Sequence, residues 1–277
     1  MMNNSEILKN SIKMKKLALE GIYNAQSGHP GGSLSAAEIV STLFFKYMNV
    51  DINNPKSPER DRFVLSKGHA APIYYSALAL KGFFDPAELK NLRDIDSFLQ
   101  GHPCLNKIPG VDMSTGSLGQ GLSASNGMAL IGKITNKDYR VYCVCGDGEI
   151  QEGQIWEAAM TASHYKLDNL TVFIDYNNLQ IDGEVSKVMD VYPIAEKFQA
   201  FGFNTLEIDG HDIDQICNSI ETAQNTKGKP TAIICKTIKG KGISFMEDVA
   251  GWHGVAPDEE KYKLAILELD KQLQEII

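Results

Sequence analysis

The stretch GDGEIQEGQIWEAAMTASHYKLDNLTVFIDYNNLQIDG, from Gly146 to Gly183, has the pattern of a glycine-rich turn, a helix, a strand and a second polar turn. An apolar, β-rich run from Tyr139 to Cys145 precedes it, and a second such run extends from Leu170 to Asp175. A strand-helix-strand crossover takes about 30 residues, and parallel strands require such a crossover. The stretch therefore predicts two neighbouring parallel strands joined by a helix that begins near Gln154.

Three further short β-rich runs flank this unit along the chain, and helical patterns separate them. They lie at Phe63 to Ser66, Phe203 to Ile208 and Thr231 to Lys236. Strands that alternate with helices form parallel sheets covered on both faces. The sequence thus predicts an α/β fold, a three-layer α/β/α arrangement with a mainly parallel sheet, as a single domain over residues 1–277.

Apolar periodicity also predicts helices near both ends of the chain. One covers residues 5 to 26 with Ser5 as its N-cap, and another runs from about Ser35 to Tyr47. The tail DEEKYKLAILELDKQLQEII predicts a closing helix over about 258–277, capped by Asp258 or by the turn at Pro257.

Charge and cysteine content argue against several classes of protein. The formal net charge is −8 and the basic residues are dispersed, so we expect no nucleic-acid partner. Five cysteines without a CxxC pair argue against a disulfide framework or a zinc site and fit a reducing compartment. The N-terminus lacks a signal-peptide core, and no apolar run reaches the roughly 18 residues of a membrane span. We therefore expect a soluble, cytoplasmic protein without a membrane partner. No GxGxxG follows a strand and no GxxxxGKS/T occurs, which leaves a nucleotide-binding Rossmann domain little support.

The turns after the two central strands contain oxygen ligands suited to a metal ion. Asp147 follows one strand and Asn177 follows the next, 177 − 147 = 30 positions on. Mg²⁺ prefers oxygen ligands and commonly joins one or two protein groups to substrate phosphates. Ligands in open α/β sheets bind at the carboxyl ends of the strands, so these two side chains predict a Mg²⁺ site that holds a diphosphate. The alternative is plain turn chemistry, since Asp and Asn are common in turns.

A wider set of motifs resembles a known family. The GDG turn, the helix that begins EGQIWEA and the NN pair are similar to the thiamine diphosphate and Mg²⁺ motif of thiamine-dependent enzymes. SGHPGGSLSAAEI (27 to 39), LSKGHAAPIYY (65 to 75), GHP (101 to 103), STGSLGQGLSASNGMA (114 to 129) and WHG (252 to 254) resemble transketolase in the same order. The resemblance covers nearly the whole chain and implies the thiamine diphosphate-binding fold.

The resemblance implies a cofactor site residue by residue. Asp147, Asn177 and the main-chain carbonyl of Leu179 would ligate Mg²⁺, for which Ca²⁺ or Mn²⁺ can substitute. The cofactor contacts that it implies are the Gly148 N–H, His69 and His253 on the diphosphate, Asn177 through the metal, and the backbone of Gly116, Ser117 and Leu118 on the cofactor rings. Taken singly, His69 would be assigned to a helix entry and STGSLGQG to a flexible loop.

Further positions match substrate and subunit contacts of the family. His29 and His102 correspond to histidines that line the substrate channel and hydrogen-bond sugar hydroxyls, and His253 would also face substrate. The resemblance implies that these three are the catalytic histidines, which would orient hydroxyls and shuttle protons. Glu152 and Glu157 match acidic positions at subunit contacts near the cofactor, although both also suit a solvated helix face. Trp156, Met160 and Tyr165 are expected to pack rather than to contact ligand.

The resemblance also implies a partner. In the family, a glutamate on a pyrimidine-binding domain activates the cofactor, and nothing in this sequence resembles that domain. We expect the N-terminal subunit of a split transketolase, inactive alone, that assembles with a separate C-terminal subunit as α₂β₂. Together they would transfer a two-carbon ketol unit from a ketose phosphate to an aldose phosphate. A truncated chain remains an alternative explanation. Alternative functions are a subunit of deoxyxylulose phosphate synthase or of a 2-oxo acid dehydrogenase (α type), or a non-catalytic, cofactor-binding regulatory paralogue.

Overall fold

Five parallel strands form the central sheet of the computed structural model, which describes residues 2–276. In spatial order they are β1, β2, β3, β7 and β6, and a two-stranded antiparallel hairpin, β4–β5, follows β3. The strands are β1 (Arg62–Leu65), β2 (Val141–Gly146), β3 (Leu170–Tyr176), β4 (Leu179–Gln180), β5 (Gly183–Glu184), β6 (Asn204–Asp209) and β7 (Thr231–Lys236). All five predicted strands are present within one or two residues of their predicted bounds.

The helices connect these strands. They are α1 (Asn4–Ala25), α2 (Pro30–Ser35), α3 (Ala37–Thr42), α4 (Ala71–Lys81), α5 (Gln120–Ile134), α6 (Gly153–His164), α7 (Val185–Val188), α8 (Ile194–Ala200), α9 (Ile213–Asn225) and α10 (Glu259–Glu275). Asp258 caps α10 through a 2.8 Å hydrogen bond from Lys261 N, as predicted.

Two helix predictions were wrong in detail. Asn3, not Ser5, is the N-cap of α1, because Asn3 and Glu6 form a reciprocal capping box. The helix predicted from Ser35 to Tyr47 is instead α2, α3 and a π-helical turn over Leu43–Tyr47. His29 lies at the N-cap position of α2, so the change in helix bounds places this histidine at a loop-helix junction.

The core has one apolar layer on each face of the sheet, and a smaller third cluster joins α1, α2 and α10. Alternate strand residues enter different layers: Tyr142 and Val144 pack with α1, α3, α4 and α9, whereas Val141 and Cys143 pack with α5, α6 and α8. This period of two is expected for a strand buried on both faces. The three-layer α/β/α prediction is therefore confirmed.

Two smaller observations complete the fold. The five cysteines are free thiols. Within residues 2–276, no helix combines the length and the apolar character that a membrane span needs.

Candidate functional site

A cavity of about 340 Å³ opens at the carboxyl ends of β1, β2 and β3. Most of the motif loops converge on it, because parallel strands present their following loops at one edge of the sheet. It is lined by His29, Gly32, Lys67, His69, Gly116, Leu118, Gly146, Asp147, Gly148, Glu149, Gln151, Glu152, Asp175, Asn177, Leu179, Gln180, Ile181, Asp182, Lys239 and His253.

Asp147 is the buried carboxylate at the end of β2. Gly146 of β2 pairs with Asp175 of β3, so the two strand ends are adjacent as predicted. The Asp147 carboxylate accepts hydrogen bonds from Gly148 N at 2.8 Å and from Asn178 N at 2.5 Å. Burial, with a further contribution from the negative charge of Asp175, raises the pKa of Asp147 to about 7. Because burial disfavours the charged form of this carboxylate, a nearby cation would stabilise it.

Two other predicted metal ligands follow β3. The Asn177 amide accepts a 3.1 Å hydrogen bond from Leu179 N, and the Leu179 carbonyl oxygen accepts one of 2.9 Å from Lys239 Nζ. Within residues 2–276, no group of three or more His, Cys, Asp or Glu side chains has the arrangement of a metal site. The donor set at this edge is one carboxylate, one amide and one carbonyl, which fits a hard, oxygen-preferring ion such as Mg²⁺ better than zinc.

Three histidines from distant parts of the chain meet above the cavity. The ring centroids of His29, His69 and His253 are 5.1 to 5.4 Å apart. Burial is the main reason that the pKa falls to about 4 for His29 and to about 3 for His253, and it lowers the pKa of His69 well below its usual value. All three rings are therefore neutral near pH 7 and can donate and accept hydrogen bonds. The buried His29 Nδ1 has no hydrogen-bond partner among the described residues.

His102 lies near this cluster, since its charge contributes to lowering the pKa of His29. It is not among the residues that line the cavity, but Gly116, which does line it, leaves only 2.9 Å between an added Cβ and the His102 ring. Burial, followed by the charge of Arg93, lowers the pKa of His102. The structure thus places the His102 ring against Gly116 and near His29.

A sequence model described as the thiamine diphosphate binding domain of transketolase matches residues 7–270. The chain belongs to the transketolase family.

Relatives of two lengths occur within the transketolase family. The "6-deoxy-6-sulfo-D-fructose transketolase subunit SqwG" of Clostridium sp. (strain MSTE9) is 46% identical over 259 residues, 94% of each chain. A relative from Phocaeicola vulgatus, named as one subunit of an apulose-4-phosphate transketolase, is 40% identical over 96% of this chain and 94% of its own. Human transketolase is 46% identical over 95% of this chain but 42% of its own length. The chain thus spans nearly all of two relatives named as subunits and less than half of the human enzyme.

Solved transketolases share the fold. The transketolase of Campylobacter jejuni superposes with a TM-score of 0.92 at 35% identity, over 97% of this chain and 43% of the larger one. That of Leishmania mexicana has a TM-score of 0.86 at 28% identity, over 100% of this chain and 47% of its own. These likenesses agree with the parallel sheet and its two helical layers.

Most of the remaining positions predicted to contact the cofactor line the cavity. Gly116, Leu118, Gly148 and Glu152 line the cavity, whereas the exposed Ser117 does not. The Gly148 N–H already donates to Asp147, so its predicted diphosphate contact has an internal competitor.

The predictions for Glu157 and for the apolar residues on and just after α6 are only partly confirmed. Glu157 is exposed, and Trp156 stacks on Phe201 as predicted for a packing residue. Met160 and Tyr165 are 54% and 50% exposed, so the prediction that they pack was wrong. The helical period alone does not show which face of α6 has a neighbour.

A buried ion pair in the cavity was missed by sequence reasoning. Lys67 Nζ lies 2.5 Å from Asp175 Oδ2 and donates to the Gly32 carbonyl at 2.6 Å. Ser35 and Thr237 also donate to the Asp175 carboxylate. Although burial opposes it, the charge of Lys67 lowers the pKa of Asp175. The charged residue within SKGH and the Asp that begins DYNN were the available signals.

A second missed residue is Glu149, the residue after the GDG turn. Its buried carboxylate accepts hydrogen bonds from Ser66 Oγ, from Gly119 N at 2.9 Å and from Gly146 N at 3.0 Å. It therefore joins three motif loops that are far apart in the sequence. Lys239 was also missed; its buried Nζ reaches both Leu179 O and His253 Nδ1 at 2.9 Å.

Proposed function

We propose that this chain is the thiamine diphosphate-binding subunit of a transketolase-type enzyme, which transfers a two-carbon ketol unit from a ketose phosphate to an aldose phosphate. The observation that supports this most directly is a hydrogen bond that connects the turns after β2 and β3, both of which line the cavity. The Asp147 carboxylate accepts the Asn178 N–H at 2.5 Å, which holds the GDG turn against the turn that follows β3.

We propose Asp147, Asn177 and the Leu179 carbonyl as the protein ligands of Mg²⁺. All three residues line the same cavity, and each can offer an oxygen atom. The elevated pKa of Asp147 supports this assignment, because a divalent ion would favour the buried carboxylate that the protein alone does not fully stabilise.

A diphosphate beside that ion would meet several donors. Lys67 and Lys239 are buried in the cavity walls and bring positive charge, and His69 and His253 supply neutral ring nitrogens. Gly116, Ser117 and Leu118 remain proposed backbone contacts for the cofactor rings, and Glu152 a contact at the cavity rim. When bound, thiamine diphosphate supplies the electron sink that carbon–carbon bond cleavage next to a carbonyl requires.

The neutral histidines fit a polyol substrate. His29 has a buried Nδ1 without a hydrogen-bond partner among the described residues. The Lys239 ammonium donates to Nδ1 of His253, so the proton of this neutral ring lies on Nε2, which can donate to a ligand. We propose that His29 and His253 orient sugar hydroxyls and move protons between them, and that His102, whose ring lies against Gly116, contributes to the same task.

A partner subunit is part of the proposal. Two relatives that match nearly end to end are named as subunits, and the chain matches less than half of human transketolase. We propose a separate C-terminal subunit with the pyrimidine-binding domain, joined in an α₂β₂ assembly. Two of these relatives are named after different sugars and the third after none, yet all three are 40 to 46% identical to this chain. Overall similarity therefore does not select the donor sugar.

Co-expression with a chain that supplies the pyrimidine-binding and C-terminal domains tests the proposal. Ketol transfer between a ketose phosphate and an aldose phosphate should require both chains, thiamine diphosphate and Mg²⁺. Asp147→Ala should abolish it, whereas Asp138→Ala, at an exposed position, should not. Full activity of this chain alone would refute the split assembly. A pyruvate-dependent product would instead favour the synthase or dehydrogenase alternatives, and cofactor binding without turnover would favour a regulatory paralogue.

A further inference from the structure

A buried hydrogen-bond chain lies outside the cavity and ends on one of its loops. The Glu38 carboxylate of α3 receives Lys15 Nζ of α1 at 2.7 Å and Ser11 Oγ at 3.2 Å on one oxygen. Its other oxygen lies 3.0 Å from Nδ1 of His211. The side chains of Lys15 and Glu38 are 3% and 4% exposed, so this ion pair is enclosed by protein.

The opposite nitrogen of His211 reaches the loop that follows β7. His211 Nε2 is 2.9 Å from the backbone nitrogen of Ile238, and a backbone N–H can only donate. Nε2 must therefore accept, which leaves the ring proton on Nδ1, where it donates to Glu38. The carboxylate thus selects the one neutral tautomer that can hold the Ile238 amide.

The loop held in this way presents Lys239 to the cavity. Lys239 is the next residue after Ile238, and its Nζ contacts Leu179 O and His253 Nδ1, both at 2.9 Å. The same loop is anchored on its other side by Gly240 N, which donates to the Gly31 carbonyl at 3.1 Å. Backbone bonds from Gly210 N to Lys236 O at 2.8 Å and from Thr237 N to Tyr176 O at 2.9 Å hold the start of this loop. The Ile238 contact is the side-chain contact from the β6–α9 turn that lies next to the lysine.

We infer that His211, with its tautomer set by Glu38, is a positioning residue that holds the 237–240 loop so that Lys239 faces the diphosphate end of the cavity. This inference rests on the proposed function for the identity of the ligand, but the contact itself does not. It assigns a role to the GHD turn at 210–212, which lies outside the cofactor motifs.

Two substitutions at one position separate positioning from simple stabilisation. His211→Asn places an amide nitrogen near the Nδ1 position and keeps the bond to Glu38, but it does not reach Ile238. His211→Gln places an amide oxygen near the Nε2 position and keeps the acceptor for Ile238, but it leaves Glu38 with one donor fewer. A buried group that loses its partner is costly, so both variants lose stability, and His211→Gln should have the lower melting temperature.

The full chain is measured in two ways. NMR exchange of the Ile238 amide should be about tenfold faster in His211→Asn than in wild type and nearly unchanged in His211→Gln. Calorimetric binding of inorganic pyrophosphate with Mg²⁺ should weaken about tenfold in His211→Asn and be largely retained in His211→Gln. Binding and melting temperature would then rank the variants in opposite orders.

The outcomes are distinct. The inference would be overturned if His211→Gln, the variant with the lower melting temperature, also bound pyrophosphate more weakly than His211→Asn. It would also be overturned if His211→Asn bound pyrophosphate as tightly as wild type. If wild type binds no Mg²⁺–pyrophosphate, the proposed diphosphate site fails, and the amide exchange alone decides the positioning role. Unchanged exchange at Ile238 in His211→Asn would then refute it.

Discussion

The ammonium nitrogen of Lys239 lies 2.9 Å from the backbone carbonyl oxygen of Leu179, the group proposed as a metal ligand. The lysine comes from the loop after β7 and the carbonyl from the turn after β3, so the contact closes the cavity across two parallel strands. A positive charge therefore lies beside one of the proposed oxygen ligands, where a diphosphate would need it.

Replacing Lys239 by Met should weaken binding of Mg²⁺–pyrophosphate by about 10- to 100-fold. Hydrogen bonds to charged groups contribute roughly 1.5–3 kcal/mol, and the methionine keeps most of the buried volume. Isothermal titration calorimetry measures the change. Lys241→Met is the matched control, because Lys241 lies in the same loop but its side chain is 33% exposed and pairs with Glu247. Equal losses in the two variants would contradict a specific role for Lys239.

Replacing His29 by Ala should lower kcat/KM for ketol transfer by about 100-fold, the lower end of what a group in proton transfer contributes. Affinity for Mg²⁺–pyrophosphate should change little, because His29 is proposed to face the sugar. His102→Ala should have the smaller effect of the two, since His102 is not among the residues that line the cavity. Steady-state kinetics of the assembled enzyme provide the comparison, and unchanged kinetics in His29→Ala would remove the substrate role.

Two glycines of α5 should respond oppositely to alanine. A Cβ at Gly121 would lie 2.3 Å from Ser66 Oγ and 2.7 Å from Ser66 Cα, so Gly121→Ala should destabilise the fold by about 1–3 kcal/mol through overpacking. An added Cβ at Gly127 would meet no heavy atom of residues 2–276 within 4 Å apart from the backbone of its own helix, so Gly127→Ala should stabilise the helix by up to about 1 kcal/mol. Urea unfolding measures both. A destabilised Gly127→Ala variant would mean that this face of α5 is covered in solution.

The contribution of Glu38 to stability should be lost in acid. Burial alone would raise its pKa, but Lys15 and His211 lower it to about 2, from an ordinary value of 4.5. A depressed carboxyl pKa contributes stability that is complete above about pH 4.5 and is lost as the pH falls toward 2. The difference in unfolding free energy between wild type and Glu38→Gln should therefore shrink by about 3 kcal/mol over that interval. Glu59→Gln, at an exposed carboxylate, should show no comparable change, and a flat difference for Glu38→Gln would contradict the assignment.

The strands and the motif loops could be predicted because their signals are local. Short β-rich runs, glycine turns and the spacing from Asp147 to Asn177 depend on neighbouring residues and on the length of one crossover. Parallel geometry then brings the strand-end loops to one edge of the sheet, whatever the order of the strands. The cap of α1 could also have been found, because the Asn3–Glu6 spacing is that of a capping box.

The tertiary structure alone decided which charges are buried and with which partners. Lys67 with Asp175, Glu149 with Ser66, and His211 with Glu38 join residues that are 83 or more positions apart. No local pattern specifies such pairs, because the free energy of a buried charge depends on the groups that packing brings around it. The sequence by itself determined the sheet, the family and the proposed metal ligands; the folded chain decided how Lys239 is held beside them.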